Sequence, residues 1–145
     1  KQRKIIGGKA SYAIAILRAF IGFKRQHLRI KTKDFNFQGE VLMVAICNGK
    51  IFGDGLTISP TANNNDGIFN ITLLGKVTLL DYIKNLKNLK TGKEIVHEEA
   101  HYFTATEIQI ENTKKDAVTE MDGEFLGTGN LLIKVLPSEI SLLQF

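Results

Sequence analysis

Short strand-like segments separated by turn residues occupy most of the sequence beyond residue 27, and they constrain the fold more than any other feature. Each segment either alternates apolar and polar residues or is apolar throughout, as strands with one or two buried faces are. A parallel sheet would need a crossover helix between successive strands, and only two segments have a helical pattern. The sequence therefore predicts a mainly β fold, an antiparallel β-sandwich with two α-helices. The predicted strands cover residues 28–30, 35–37, 41–47, 68–74, 102–111, 116–121, 130–135 and 140–145.

Two segments repeat apolar side chains at helical spacing. The first covers residues 9–23 and has Ser11 as its candidate N-cap. The second follows Thr78, carries Asp81 three residues later as in a capping box, and ends before Gly92. We predict a helix in each segment, and the caps mark the second one most clearly.

The length of 145 residues suits a single domain with its own hydrophobic core. The longest apolar run, residues 41–47, is far shorter than the roughly 20 residues that a membrane-spanning helix needs. One cysteine, Cys47, allows neither an internal disulfide nor a cluster of thiolate metal ligands. Because the sequence also lacks an initiator Met and a secretory signal, we expect residues 1–145 to be one domain of a longer, cytoplasmic protein.

Positive charge is concentrated at the start of the chain. Residues 1–35 contain ten Lys or Arg and one acid, a net charge of +9, whereas the whole chain carries +4. Such a segment could meet the phosphates of a nucleic acid or of an anionic membrane. Charge alone is weak evidence, and an ordinary solvated surface is the interpretation that we favour.

The segment from His97 to His101 has the residue pattern of zinc proteases, H-E-x-x-H. That chemistry needs both imidazoles on one face of a helix. Here a helix has just ended at Gly92 and a strand-like pattern begins at Tyr102, which leaves no room for a helix. We therefore interpret the two histidines as exposed residues of a connecting segment.

A glycine-containing loop, residues 48–55, follows the apolar strand. Its composition would let the backbone approach a ligand or another chain closely. It lacks the G-K-[ST] ending of a Walker loop, and no helix signal follows it as the dinucleotide fingerprint requires. On local grounds it is a turn between strands.

Acidic residues recur at alternate positions near the end of the chain, at Glu120, Asp122 and Glu124. If one strand continued through them, three carboxylates would line one face, an environment suited to a general base or to metal-assisted phosphoryl transfer. However, Asp122-Gly123 is also a strong hairpin signal. The spacing leaves both interpretations open.

Four motifs follow one another in a defined order along the chain. They are Asn48-Gly49-x-x-Phe52-Gly53-x-Gly55, Pro60-x-Ala62-x-x-x-Asp66-Gly67, Asp122-Gly123-Glu124 and Leu136-Pro137. In this order they resemble the carboxyl-terminal half of the diacylglycerol kinase and sphingosine kinase family, especially its bacterial lipid kinases. The resemblance implies a two-domain enzyme, of which this chain is the β-sandwich that carries the lipid side of the cleft. The ATP-binding amino-terminal domain is outside these residues.

By the same resemblance, Asp122 and Glu124 fall on the catalytic Asp-Gly-Glu triplet of the family. The resemblance further implies that Asn48, Gly53 and Gly55 contribute to cofactor binding. It implies a structural magnesium held by Asn63, Asp66 and Ile68, through the Asp carboxylate and nearby oxygens. The chain departs from the family pattern where amides at Asn65 and Asn70 replace carboxylates and where Asp54 replaces a glycine.

The activity implied by the resemblance is transfer of the γ-phosphate of ATP to the hydroxyl of a diacylglycerol-like lipid, with ATP and Mg²⁺ as cofactors. The implied partners are that lipid, the protein's own N-terminal nucleotide-binding domain and a peripheral membrane surface at the cytoplasmic face. A homodimer is left open. The family's Gly-Gly-Asp-Gly-Thr loop does not occur in these residues, so the isolated chain is expected to be inactive.

Three alternatives remain open beside this function. The chain could be a non-catalytic lipid- or ligand-binding sandwich, or part of a related kinase with a different acceptor. A nucleic-acid-binding module is disfavoured, because the basic segment has no interleaved surface aromatics on which bases could stack.

Overall fold

The computed structural model describes residues 24–52, 55–114 and 117–139. Within them lie eleven strands and one helix, α1 (Leu79–Thr91). The predicted helix at residues 9–23 and the predicted strand at 140–145 lie outside the described residues. The strands are β1 (Gln26–Lys31), β2 (Asn36–Val41), β3 (Met43–Cys47), β4 (Ile51–Phe52), β5 (Leu56–Thr57), β6 (Phe69–Leu74), β7 (Ala100–Ala105), β8 (Glu107–Asn112), β9 (Val118–Met121), β10 (Glu124–Thr128) and β11 (Leu131–Lys134).

Two antiparallel sheets form the body of the domain. The first has the strand order β11-β8-β1-β2, and the second has the order β3-β6-β7. Apolar side chains from both sheets pack into one core between them, as expected when the inner faces of two sheets meet. The prediction of an antiparallel β-sandwich is confirmed. The buried members of this core are Leu28, Ile30, Val41, Ile71, Leu73, Ile108 and Ile110.

The central strand of the second sheet, β6, is buried on both of its faces. Ile71 and Leu73 point into the core between the sheets, whereas Leu74 belongs to a second cluster that includes Leu89 of α1. Polar residues of β6 are satisfied on that second side, where the Thr72 hydroxyl donates to the Ile58 carbonyl at 2.9 Å. The helix therefore forms a third layer that covers the outer face of the second sheet.

Two predicted strands are each divided in the structure. The apolar run 41–47 breaks at Leu42, where the chain passes from β2 in the first sheet to β3 in the second. The segment 102–111 breaks at Thr106, where the chain passes from β7 back to β8. The prediction of single strands was wrong at both places because a chain that changes sheets must turn a corner, and hydrophobicity continues through the corner.

Helix α1 has the caps that the sequence predicts. The Thr78 hydroxyl accepts the Asp81 N–H at 3.3 Å, and an Asp81 carboxylate oxygen accepts the Thr78 N–H at 3.0 Å. At the other end Gly92 adopts a φ of 72°, a conformation that glycine enters without steric cost. These hydrogen bonds satisfy backbone groups that a helix end would otherwise leave unpaired.

Substitution of Thr78 by Ala should lower the free energy of unfolding by about 1 kcal/mol at neutral pH. The hydrogen bonds from the Thr78 side chain and backbone hold the pKa of Asp81 below its usual 3.8. A lowered pKa stabilises the fold above pH 3.8, and this part is lost as the pH falls through the folded-state pKa. Thermal unfolding followed by circular dichroism should therefore show a smaller Thr78→Ala effect in acid than at pH 7. Thr78→Ser, which keeps the oxygen, is the control, and an effect equal at both pH values would contradict this account.

Candidate functional site

The acidic motif lies on an arm that leaves the first sheet between two neighbouring strands. The chain departs after β8, forms the hairpin β9–β10, and returns in β11, which pairs with β8. Within the part of the chain that the structure describes, β9 and β10 pair only with each other. The arm is therefore an independent two-stranded ribbon attached at the end of the sandwich.

Asp122 and Gly123 form the two-residue turn at the tip of this arm. Their φ angles are 52° and 87°, and positive φ at both central positions is the property of a type I′ hairpin turn. Asp and Gly are among the residues that adopt this conformation most readily. The hairpin interpretation of Asp122-Gly123 is therefore the one that the structure supports.

The three acids do not line one face of a strand. Phe125 lies opposite Glu120 and Glu124 lies opposite Met121, so Glu120 and Glu124 are on different faces of the ribbon. Of the two interpretations that the spacing left open, the shared face is excluded because the turn reverses the chain at Asp122. The structure leaves Asp122 and Glu124 together at the exposed tip.

Apolar side chains are exposed along the same arm. Four of them have between 59% and 70% of their surface accessible, which is unusual for large apolar groups clustered in one short ribbon. They are Val118, Met121, Phe125 and Leu126. The arm thus presents two carboxylates at its tip and uncovered apolar surface behind them.

Asn112 fixes both ends of the arm. Its side-chain oxygen accepts the Ala117 N–H at 2.8 Å, and its side-chain nitrogen donates to the Gly129 carbonyl at 2.6 Å. Its backbone N–H donates to the Asn130 side chain at 2.9 Å. Sequence reasoning missed this residue, although an Asn at the end of a strand before a turn is a recognised signal for side-chain to backbone hydrogen bonds.

The loop predicted to hold magnesium is closed by its own side chains. The Asn63 side chain accepts the Asn65 N–H at 3.1 Å, and the Asp66 carboxylate accepts the Ile68 N–H at 3.1 Å. Both hydrogen bonds are internal to the loop, which supplies a single carboxylate, that of Asp66. Among the described residues there is no group of three His, Cys, Asp or Glu side chains placed to hold a metal.

Gly67 adopts a φ of 70° and brings this loop against Pro137. A Cβ atom at Gly67 would lie 3.4 Å from Cβ of Pro137, so the proline lies beside this glycine. Asp66-Gly67 and Leu136-Pro137 are far apart in sequence, and the fold brings them together.

The glycine-containing loop lies beside the Asn-rich loop. Gly49 and Lys50 line one side of an open depression of about 630 Å³, and the other side is lined by Thr61, Ala62, Asn63 and Asn64. The Lys50 carbonyl accepts the Ser59 N–H at 3.3 Å and joins the two segments. Of the residues predicted for cofactor binding, Asn48 is exposed next to this depression, Gly55 has a φ of 75°, and Gly53 lies outside the described residues.

Among the described residues, no direct polar contact links this depression to the acidic tip. In residues 24–52, 55–114 and 117–139, no hydrogen bond or ion pair joins the two loops to Asp122 or Glu124. Of the predicted residues, those of the glycine-containing and Asn-rich loops lie at or beside this depression, and Asp122 and Glu124 lie at the arm tip.

The two histidines of the zinc-like pattern lie in a turn and in strand β7 rather than in a helix. His97 accepts the Glu99 N–H at 3.0 Å and lies 3.5 Å from the Asp81 carboxylate. The His101 ring packs against Phe35 and Phe37. Both histidines are half-buried, so the expectation that they are exposed was wrong: their neighbours in the fold cover them.

Residues 1–144 match the family described as the YegS C-terminal NAD kinase beta sandwich-like domain. The chain belongs to this family. The resemblance to bacterial lipid kinases that the motifs indicate is therefore confirmed.

Individual relatives agree with the assignment to the YegS C-terminal domain family. A probable lipid kinase YegS-like protein of Pectobacterium atrosepticum is 31% identical over 134 residues, which are 92% of this chain and 43% of that protein. The corresponding protein of Shewanella frigidimarina is 29% identical and is covered over 44% of its length. The chain thus spans less than half the length of the relatives that it matches.

A solved structure shares the fold. The crystal structure of a diacylglycerol kinase from Bacillus anthracis superposes with a TM-score of 0.55 at 16% sequence identity, over 88% of this chain and 44% of that one.

In the part of this YegS C-terminal domain that the structure describes, no helix is long and apolar enough to cross a membrane.

Proposed function

We propose that this chain is the acceptor-side domain of an ATP-dependent lipid kinase, which transfers the γ-phosphate of ATP to the hydroxyl of a diacylglycerol-like lipid. The observation that carries the proposal is the exposed arm, whose tip presents Asp122 and Glu124. Membership of a family with lipid kinase relatives supports the same function.

The arm has the properties of a part that meets another surface. Its apolar side chains are uncovered in this chain, and large exposed apolar clusters mark sites of contact. The relatives are more than twice as long as the matched region. We propose that a nucleotide-binding domain, outside these residues, forms the side of the active-site cleft that faces the arm. The acceptor-side domain alone should then be inactive.

In the proposed reaction a carboxylate at the arm tip accepts the proton of the lipid hydroxyl. The hydroxyl oxygen forms a bond to the γ-phosphorus while the bond from that phosphorus to the bridging oxygen of ADP breaks, and ADP leaves. The protein's contribution to such a transfer is mainly positioning and charge balance. Asp122 and Glu124 are the candidates, the first in the type I′ turn and the second at the start of the strand that follows it.

The remaining site assignments stay predictions. Bound Mg²⁺ would neutralise phosphate charge, and the loop predicted to hold it, with Asn63, Asp66 and Ile68, supplies a single carboxylate. Cofactor contacts by Asn48, Gly53 and Gly55 rest on the resemblance alone. Use of ATP and of a membrane lipid would place the protein at the cytoplasmic face of a membrane.

The test is a phosphoryl-transfer assay with the full-length protein, ATP labelled in the γ-phosphate, and diacylglycerol in mixed micelles. The expected result is label in a lipid phosphate, with much less label when the acceptor hydroxyl is acylated. Transfer to another lipid alcohol instead would identify a related kinase with a different acceptor. Absence of transfer to any lipid alcohol, in protein that binds ATP, would contradict the proposal and favour the non-catalytic binding sandwich.

A further inference from the structure

Helix α1 exposes two large apolar side chains to solvent. Leu80 and Ile83 are 67% and 55% accessible, although they belong to a regular helix packed on the sandwich. Lys84 and Lys87 are exposed as well, and all four positions fall on one side of the helix at a spacing of three, four and seven residues. This α1 face, defined by these four residues, combines apolar and basic groups.

Helix α1 packs on the second cluster through the side opposite to these four residues. On the opposite side Leu89 is buried in the second cluster, and Tyr82 and Leu86 pack against that cluster. Asn85, also buried, accepts the Val96 N–H at 2.8 Å and donates to the Asp81 carbonyl at 2.9 Å. The helix is therefore fixed with the α1 face outward.

The charged side chains of the α1 face are both lysines. Residues 76–93 contain five lysines and one acid, Asp81, which is engaged at the N-cap. None of the five lysines forms an ion pair within the described part of the chain. Glu94, Glu98 and Glu99 follow the helix in sequence, and Lys84 acts on the charge of Asp81, but the α1 face itself carries no acid. The lysines are Lys76, Lys84, Lys87, Lys90 and Lys93.

We propose that the α1 face docks on the anionic surface of a lipid bilayer. A helix that lies in the membrane interface inserts apolar side chains between headgroups while its lysines pair with anionic lipids. Leu80 and Ile83 supply the first interaction, and the unpaired lysines supply the charge complementarity. The proposal rests on the proposed function in one respect: a lipid kinase must reach its acceptor at a membrane. The exposure and charge of the α1 face do not depend on that function.

The test measures binding of the full-length protein to vesicles that contain about one third phosphatidylglycerol, by flotation, against vesicles of phosphatidylcholine alone. Replacement of Lys84 and Lys87 by Gln should weaken binding to the anionic vesicles about 30-fold, since each lysine near such a surface contributes about one factor of five. Replacement of Leu80 and Ile83 by Ser should weaken it about tenfold. Binding of the unaltered protein should fall as salt is added.

A matched control removes two exposed lysines elsewhere, by Lys31→Gln and Lys33→Gln. This variant should bind the anionic vesicles nearly as well as the unaltered protein. Loss of binding in the control alone, with the α1 variants unaffected, would assign docking to the basic segment near the start of the chain and overturn the proposal. Equal binding to the anionic vesicles and to those of phosphatidylcholine alone would also overturn the proposal. So would a change in the oligomeric state of the α1 variants in the absence of lipid.

A second measurement separates this proposal from the kinase function. With a short-chain, water-soluble diacylglycerol as acceptor, the α1 variants should turn over at the normal rate, because no membrane is needed. Normal turnover with lost vesicle binding supports docking by the α1 face. Loss of turnover on the soluble acceptor in the α1 variants would overturn it, whereas no turnover in the unaltered protein would contradict only the proposed kinase function.

Discussion

Replacement of Glu124 by Gln in the full-length protein should lower kcat for phosphoryl transfer to lipid about 10²- to 10⁴-fold, the range expected for loss of a general base. Gln has nearly the same shape as Glu but cannot accept the proton. Because Glu124 is exposed at the arm tip, its loss should change the free energy of unfolding by no more than about 0.5 kcal/mol.

Asp122→Asn should also lower kcat strongly. The lower kcat could be attributed to the lost charge, because Asn fits the backbone conformation of the turn. Asp122 has a φ of 52°, and Asn tolerates that conformation as well as Asp does. The substitution therefore removes the negative charge while the type I′ turn remains. Whichever of the two variants loses more activity at saturating ATP and lipid identifies the better candidate for the base.

Glu120→Gln is the matched control for both substitutions. Glu120 lies on the same ribbon and is exposed, but it faces away from Glu124. We expect its kcat to be close to normal. Near-normal turnover in both Glu124→Gln and Asp122→Asn would contradict the assignment of the arm tip to the active site. An equal loss of turnover in Glu120→Gln would contradict it as well.

Substitution of Asn112 by Ala should lower kcat about 10- to 100-fold although this residue touches no reacting group, because small displacements of a positioned group are costly. The change removes the hydrogen bonds to Ala117 and Gly129 that hold the two ends of the arm. It should also lower the free energy of unfolding by about 1–3 kcal/mol, the cost of leaving partly buried polar groups unpaired. The KM for ATP should change little.

Hydrogen exchange distinguishes positioning by Asn112 from a general loss of stability. Amides of β9 and β10 should exchange faster in Asn112→Ala, while those of β1 and β6 keep their protection relative to the global stability. Asn88→Ala is the control. The Asn88 side chain also donates to a backbone carbonyl, that of Glu94, but Asn88 lies on α1, outside the arm. If Asn88→Ala reduced kcat as much, or if exchange rose uniformly in Asn112→Ala, the positioning role would be refuted.

Features whose partners lie within a few residues were predictable from the sequence. The caps of α1 join Thr78 to Asp81, and the turn at Asp122-Gly123 needs only the conformational preferences of those two residues. The alternation of short apolar segments was sufficient for the antiparallel sandwich. The order of the motifs was sufficient for the family, which the match over residues 1–144 confirms.

Features that depend on distant partners were not predictable in the same way. An apolar stretch looks the same whether it stays in one sheet or crosses to another, so the corners at Leu42 and Thr106 were missed. The parity of Glu120 and Glu124 suggested a shared face, and only the reversal of the chain between them places them on opposite faces. Burial of His97 and His101 depends on neighbours that are remote in sequence or lie in another element.

The sequence by itself determined the strand-rich fold and the capped helix, since each follows from hydrogen bonding and side-chain preferences along a continuous stretch of chain, and it offered the acid-bearing turn as one of two interpretations. Only the tertiary structure decided that Asn112 holds both ends of the arm, that Pro137 lies beside Gly67, and that α1 turns Leu80 and Ile83 outward. These features arise when segments far apart in the chain come into contact, and the free energy of such contacts depends on distance and orientation, which the order of residues does not contain.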